Sequence, residues 1–266
     1  MQKTSISPKS TPPTPTPIPS SPNSINLGPN ELNSIRQALS MATDGDLSRA
    51  AELIKNFKNG KPFVCDIALS EEPRDSMVIA TPFAGAPKAF YYNQKIIGMR
   101  ASGSVSVDGK LYTLNPDETF GLLDWGRGVW TYENTWYWGA GHGVVDGRVV
   151  GFNIGYGFGD TSAASENMIF VDGIAHKIDG VTFNIPKTSD GKDDFIKPWT
   201  FTSTDGRFEM DFIPVIDRAS CTDVKLICSD QHQVFGMYDG TVVLDDGTPF
   251  ELKGLLGFAE AVHNIY

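Results

Sequence analysis

With 266 residues, of which 40% are hydrophobic and 20% charged, the chain has the make-up of a globular protein long enough to bury a substantial core. A formal charge of −10 excludes the basic footprint that nucleic acid or an anionic membrane surface would need. No apolar run approaches the roughly 18 residues of a spanning helix. No apolar stretch follows the N-terminal charges either, so the expectation is a cytoplasmic protein without a secretory signal or a membrane span.

Residues 1–29 are dominated by Ser, Thr and Pro, including the run Thr11-Pro-Pro-Thr-Pro-Thr-Pro-Ile-Pro-Ser20. Proline removes backbone donors and the rest offers nothing to bury, so this stretch reads as a disordered tail. Over 30–60 the apolar period turns helical. Leu32, Ile35 and Leu39 are followed, after Asp44-Gly45, by Leu47, Ala50, Ala51, Ile54 and Phe57, which predicts two short helices stopped at Gly60 and Pro62.

From residue 61 onward the pattern alternates in twos. Phe63, Cys65, Ile67 and Leu69 open a series of short strands that continues at Met77–Ala80, Ala89–Tyr92 and Gly103–Val107. Asp-Gly pairs begin at 108, 146, 172, 179, 190, 205, 239 and 246, each a favoured hairpin turn. Short antiparallel strands joined by hairpins predict a mainly β fold, an up-and-down barrel or sandwich. Cys65, Cys221 and Cys228 show neither metal nor redox spacing and read as buried or half-buried thiols. A Cys221–Cys228 bridge is not expected if both lie on one extended strand.

Four of the five tryptophans fall between Trp125 and Trp138. Read as one strand, 130–138 puts Trp130, Tyr132, Asn134, Trp136 and Trp138 on one face, an aromatic wall richer in polar handles than an ordinary core strand needs. Strand 149–158 places Val150, Phe152, Ile154, Tyr156 and Phe158 opposite a glycine-lined face, which lets a sheet, a ring or a ligand come close. Asp124 and Arg127 flank Gly126, where a bend would pair them. Surrounded by indoles, Asp124 is a candidate acid, with Glu166 and Asp217 as rivals; His232 is the best-placed histidine for acid/base work. No histidine spacing suits zinc, and there is no phosphate loop, nucleophile elbow or dinucleotide fingerprint, so neither metal nor cofactor is expected.

Asp124-Trp-Gly-Arg-Gly-Val-Trp130, Trp136-Tyr-Trp-Gly139, Gly151-Phe-Asn-Ile-Gly-Tyr-Gly157, Glu166-Asn167, Lys197-Pro-Trp199, Asp217-Arg218, Asp230-Gln-His-Gln-Val-Phe-Gly236 and Leu256-Gly-Phe-Ala-Glu260 occur in this order. Together, over about Phe63 to Tyr266, they resemble the domain-of-unknown-function family twenty-eight-oh-four, which has no assigned activity. The resemblance implies a distant likeness to lipocalin-like proteins of two β halves, a group that includes carotenoid hydratases and some cyclases. Members are usually longer, so 61–117 reads as the remnant of a first β half and 118–266 as the lipocalin-like domain. Strand edges left open by that truncation invite a homodimer.

The expected role is to bind a small apolar or amphipathic molecule in a pocket walled by Trp130, Tyr132, Trp136, Trp138 and Tyr156, with Asp124, Arg127 and Glu166 as polar handles. The alternatives are a hydratase, isomerase or cyclase using Asp124 or Glu166 as general acid, and carbohydrate binding or hydrolysis across two carboxylates.

Overall fold

The computed structural model describes residues 62–223 and 227–265. The expected tail and the helices of 30–60 lie outside the described residues. Among the described residues every regular element is a strand, and neighbouring strands run antiparallel.

The first sheet is built around β3 (Phe90–Val107), an 18-residue strand that joins the two segments expected at 89–92 and 103–107. One edge of β3 carries β2 (Met77–Pro82) and β1 (Phe63–Ser70) in succession; the other carries β5 (Phe120–Val129) and β4 (Lys110–Leu114). β1 is exposed along its whole length.

The second sheet is a curled run of nine strands. Its order is β10 (Val181–Asn184), β11 (Trp199–Ser203), β12 (Phe208–Asp223), β13 (Cys228–Val243), β14 (Pro249–Ile265), β6 (Glu133–Val145), β7 (Arg148–Tyr156), β8 (Met168–Val171), β9 (Ile174–Lys177). Its concave side closes on an aromatic core that includes Phe152, Trp199, Phe201, Phe208, Phe212 and Tyr238, all essentially inaccessible. A smaller cluster of Met77, Ile97, Trp138, Ala140 and Phe170 joins the two sheets.

The Asp-Gly pairs at 108, 146 and 172 close hairpins in which both residues take positive φ, from 49° to 52° at Asp and 76° to 78° at Gly. That is the mirror-image turn whose twist suits paired strands. Asp239-Gly240 differs. It lies inside β13, where the pairing to β14 slips between Tyr238 and Gly240, and Asp239 Oδ1 accepts the Gly254 N–H at 2.8 Å. A bulge there lets β13 continue, so two expected strands are one.

Two further expectations are corrected. Cys221 and Cys228 sit on adjacent strands, because the chain reverses between β12 and β13; Cys221 opposes Asp230, and Cys228 opposes Asp223. All three thiols are free, and Cys65 and Cys221 are exposed. The aromatic stretch is also not one strand. β5 ends at Val129 and β6 begins at Glu133, so Trp130, Thr131 and Tyr132 form the crossing from one sheet to the other.

Candidate functional site

The crossing and the strands beside it enclose a cavity of about 220 Å³ in the seam between the sheets. Alternation on β3 supplies Tyr91, Asn93 and Lys95, and β5 supplies Asp124. From the second sheet come Trp136 and Trp138 on β6 and Glu260 on β14, while Glu166 enters from the segment between β7 and β8. The register explains the grouping: Lys95 is paired directly with Asp124, and Trp138 with Glu260. Residues directly opposite in an antiparallel pair project to the same face.

Lys95 is the centre of the electrostatics. It is 4% exposed, with Nζ 3.2 Å from Glu166 Oε2, 4.0 Å from Asp124 Oδ1 and 3.5 Å from the centre of a Trp138 ring. A desolvated ammonium needs such compensation, and carboxylate plus ring face provides it. Burial raises the Asp124 carboxyl; the charge of Lys95 pulls it back down, and Glu166 adds to the rise. Glu260 is likewise raised by burial, although Trp136 Nε1 donates to its Oε1 at 2.8 Å and Gln233 Nε2 to its Oε2 at 3.1 Å.

Glu166 is held in place by β7. Strand pairing between β7 and β8 stops at Asn153, and beyond it the Asn167 side chain takes over, its Oδ1 accepting the Gly155 N–H at 2.7 Å. Asn153, fully buried, donates to the Glu166 carbonyl at 2.9 Å and to Oε2 at 3.1 Å, and accepts from Trp138 Nε1 at 2.8 Å. The glycine face of β7 makes room for this. A Cβ on Gly155 would lie 2.6 Å from Glu166 Oε1, and one on Gly151 2.7 Å from Ile97 of β3.

Phe158 completes the aromatic side. With φ of 98° at Gly157 and 86° at Gly159, the chain leaves the core face after Tyr156 and turns Phe158 into the cavity lining. There it meets Tyr91, Trp130 and Trp136 with ring centres 4.8, 5.9 and 5.2 Å apart.

Of the residues expected from the sequence, Asp124, Glu166, Trp130, Trp136 and Trp138 line this cavity. The others lie elsewhere. Arg127 is exposed and three residues from Asp124 in an unbroken strand, so the two face opposite ways and Gly126 makes no bend. Tyr132 is exposed in the crossing. Tyr156 pairs with Tyr137 on the core side of the sheet, their rings stacked at 4.9 Å. His232 shares a face of β13 with the core residue Val234, opposite to Gln233; its Nδ1 meets Asp217 Oδ2 at 2.7 Å, and its ring stacks on Phe195.

Sequence reasoning passed over Lys95, Asn93, Tyr91, Phe158 and Glu260. The available signal was the alternation Tyr91, Asn93, Lys95, which reads as an ordinary solvent face until the partner strand is known. Among the described residues no group of three or more His, Cys, Asp or Glu is arranged to hold a metal ion. No helix among them is long and apolar enough to cross a membrane.

A family model described as a domain of unknown function (DUF2804) matches residues 2–266, taking in the stretch ahead of Phe63 as well. Among solved structures, the chain is similar to kievitone hydratase from Nectria haematococca, at 12% identity and a TM-score of 0.41, over 77% of this chain and 61% of that one. The chain thus spans less than two thirds of the hydratase's length. No curated protein matches the sequence.

Proposed function

The chain belongs to this DUF2804 family of unknown function, and we propose that the seam cavity binds a small amphipathic molecule. Trp130, Trp136 and Phe158 would hold its apolar part, while Asp124, Lys95 and Glu166 would meet its polar end. The observation that carries the reading is the convergence of ring faces and ionisable groups from both sheets on one open cavity. Few, well-placed polar groups among aromatic walls are what small-molecule sites have in common. The test is native mass spectrometry of the full chain purified from its own cell extract, beside Trp136→Ala shown to be folded. A stoichiometric small molecule held by the parent and lost from the variant is the expected result; equal retention by both would sink the assignment.

A second reading is favoured by the state of Asp124. A carboxyl whose hold on its proton is raised by burial, on the open side of an aromatic cavity, is suited to give that proton to one carbon of an unsaturated substrate. Trp130 and Trp136 would steady the developing cation. Water would then add its oxygen to the second carbon and return a proton to Asp124, so that the sum is a hydration. Under this reading Asp124→Asn abolishes turnover and leaves binding within about threefold, whereas a parent protein without turnover, in which Asp124→Asn alters binding alone, would favour simple binding. Carbohydrate hydrolysis has less support. The paired carboxylates of such enzymes flank the sugar, but Asp124 and Glu166 share a single lysine ammonium.

A further inference from the structure

A second and larger cavity, of about 590 Å³, lies on the same side of the seam and continues the strands that build the first. On β5 the step is from Asp124 to Leu122 and Phe120; on β6 from Trp138 to Ala140, His142 and Val144; on β14 from Glu260 to Phe258 and Leu256. Each step is two residues, so all these side chains share one face. The two cavities therefore follow one another along one strand face, and together they form a trough in two stretches. Its divide is the Trp138–Phe258 ring contact at 4.8 Å, with Leu122 packed against it.

The two stretches differ in chemistry. The second is walled mainly by apolar side chains, with Glu118 and Lys253 as its charged lining residues. His142 there is held down to about 4 by burial and is neutral at physiological pH, and its Nδ1 is buried without a hydrogen-bond partner. The first cavity carries three carboxylates and one ammonium, and that ammonium is already engaged by Glu166, Asp124 and Trp138. Asn93 adds a buried amide oxygen with no partner. The unfilled capacity is for hydrogen-bond donors and positive charge.

We propose that the trough holds one elongated molecule, a long-chain amphiphile with a protonated amine at the Asp124 end and its apolar chain running across Leu122 and Phe258 toward Val144. The proposal rests on the reading of the first cavity as a binding site and specifies what it binds. From Trp138 to Val144 along β6 is about 20 Å at the usual rise per residue, which sets the length of chain the second cavity can cover. Trp130 and Trp136 line the same cavity and would lie against the carbons next to the amine.

The experiment is isothermal titration calorimetry of the full chain with hexylammonium and decylammonium chlorides below their micelle concentrations, with decanoate as the probe of opposite charge. Decylammonium is expected to bind roughly tenfold or more tightly than hexylammonium, because the added methylenes leave water for the second cavity. Decanoate is expected to bind at least about tenfold more weakly than decylammonium. Leu256→Asp, at an exposed position of the second cavity that tolerates a polar side chain, should remove the chain-length gain and leave hexylammonium binding unchanged. Equal affinities for the two amines, or a gain that survives Leu256→Asp, would overturn the single-trough assignment while the first cavity stands. Decanoate binding as tightly as decylammonium would overturn the amine end. Failure of both amines to bind would remove the proposal, and the seam reading would then rest on its own mass-spectrometric test.

Discussion

Replacing Lys95 with Met keeps the length of the stem and deletes the charge around which the cavity is arranged. The ammonium lies 3.2 Å from Glu166 and 4.0 Å from Asp124, whose side chains are 13% and 37% exposed. Removing one member of a buried pair costs about 3–5 kcal/mol, because the remaining charge is left without compensation. Asp124 keeps some hydration, so the expected loss is at the low end, about 3 kcal/mol at pH 7. Urea denaturation should show it as a lower midpoint at unchanged slope. Adding Glu166→Gln should restore more than half, since the amide oxygen still accepts from Asn153 and the more buried of the two carboxylates beside the missing ammonium is gone. The deficit of the single variant should shrink on acidification, as the unpaired carboxylates take up protons and their neutral forms cost less to bury. A single variant within about 1 kcal/mol of the parent, or a double variant no more stable than the single one, would refute the reasoning.

Gly155→Ala places a methyl 2.6 Å from Glu166 Oε1 and 2.9 Å from the Tyr137 carbonyl. It should lower stability by about 1–3 kcal/mol and reduce ligand retention, both read by thermal denaturation with and without decylammonium; an unchanged melting temperature would show that the glutamate moves freely. Asn153→Leu leaves the Trp138 N–H and the Glu166 carboxylate short of partners, with an expected cost of about 2–4 kcal/mol in urea. A neutral effect would mean that water replaces the amide. His232 titrates in the opposite sense to a buried carboxyl. Burial lowers its value, but the hydrogen bond and charge of Asp217, together with Asp230, more than reverse this, so the folded value lies above 6.5. Its contribution to stability is complete below pH 6.5 and is lost as the pH rises through the folded value. His232→Gln should therefore flatten the stability profile between pH 6.5 and the folded value, and superimposable profiles would remove the histidine from the account.

The strand content was legible because period-two alternation and Asp-Gly turns are local signals. Trp136 and Trp138 could be placed on one face for the same reason. What failed was joining and partnering. Nothing local distinguishes the Asp239-Gly240 bulge from a hairpin, since both use the same dipeptide and only the continued pairing of β12 with β13 keeps the strand going. The break after Val129 was hidden by aromatics that fit the alternation on either side of it. Tyr156 was assigned to the aromatic face that turned out to be core, because the register of β6 against β7 pairs it with Tyr137 and leaves Gly155 beneath Trp138. Lys95 and Glu260 became site residues only through partners far away in sequence, Asp124 and Trp138, and strand order is a long-range property that one sequence does not display.

The seam also has a consequence for how the molecule comes apart. The first sheet is formed by residues 63–129 and the second by 133–265, and the cavity takes its walls from both. An occupant touching both walls must be released before the sheets separate, so its binding free energy adds to the work of that opening. At a ligand concentration about 100 times its dissociation constant the addition is about 2.7 kcal/mol. Amide hydrogen exchange that proceeds by parting the sheets, at Ile97 and Trp138, would slow accordingly, about a hundredfold. Amides that exchange by fluctuations within the second sheet, around Phe201 and Phe212, would keep their rates, so the ligand would reveal whether the protein breathes along this line.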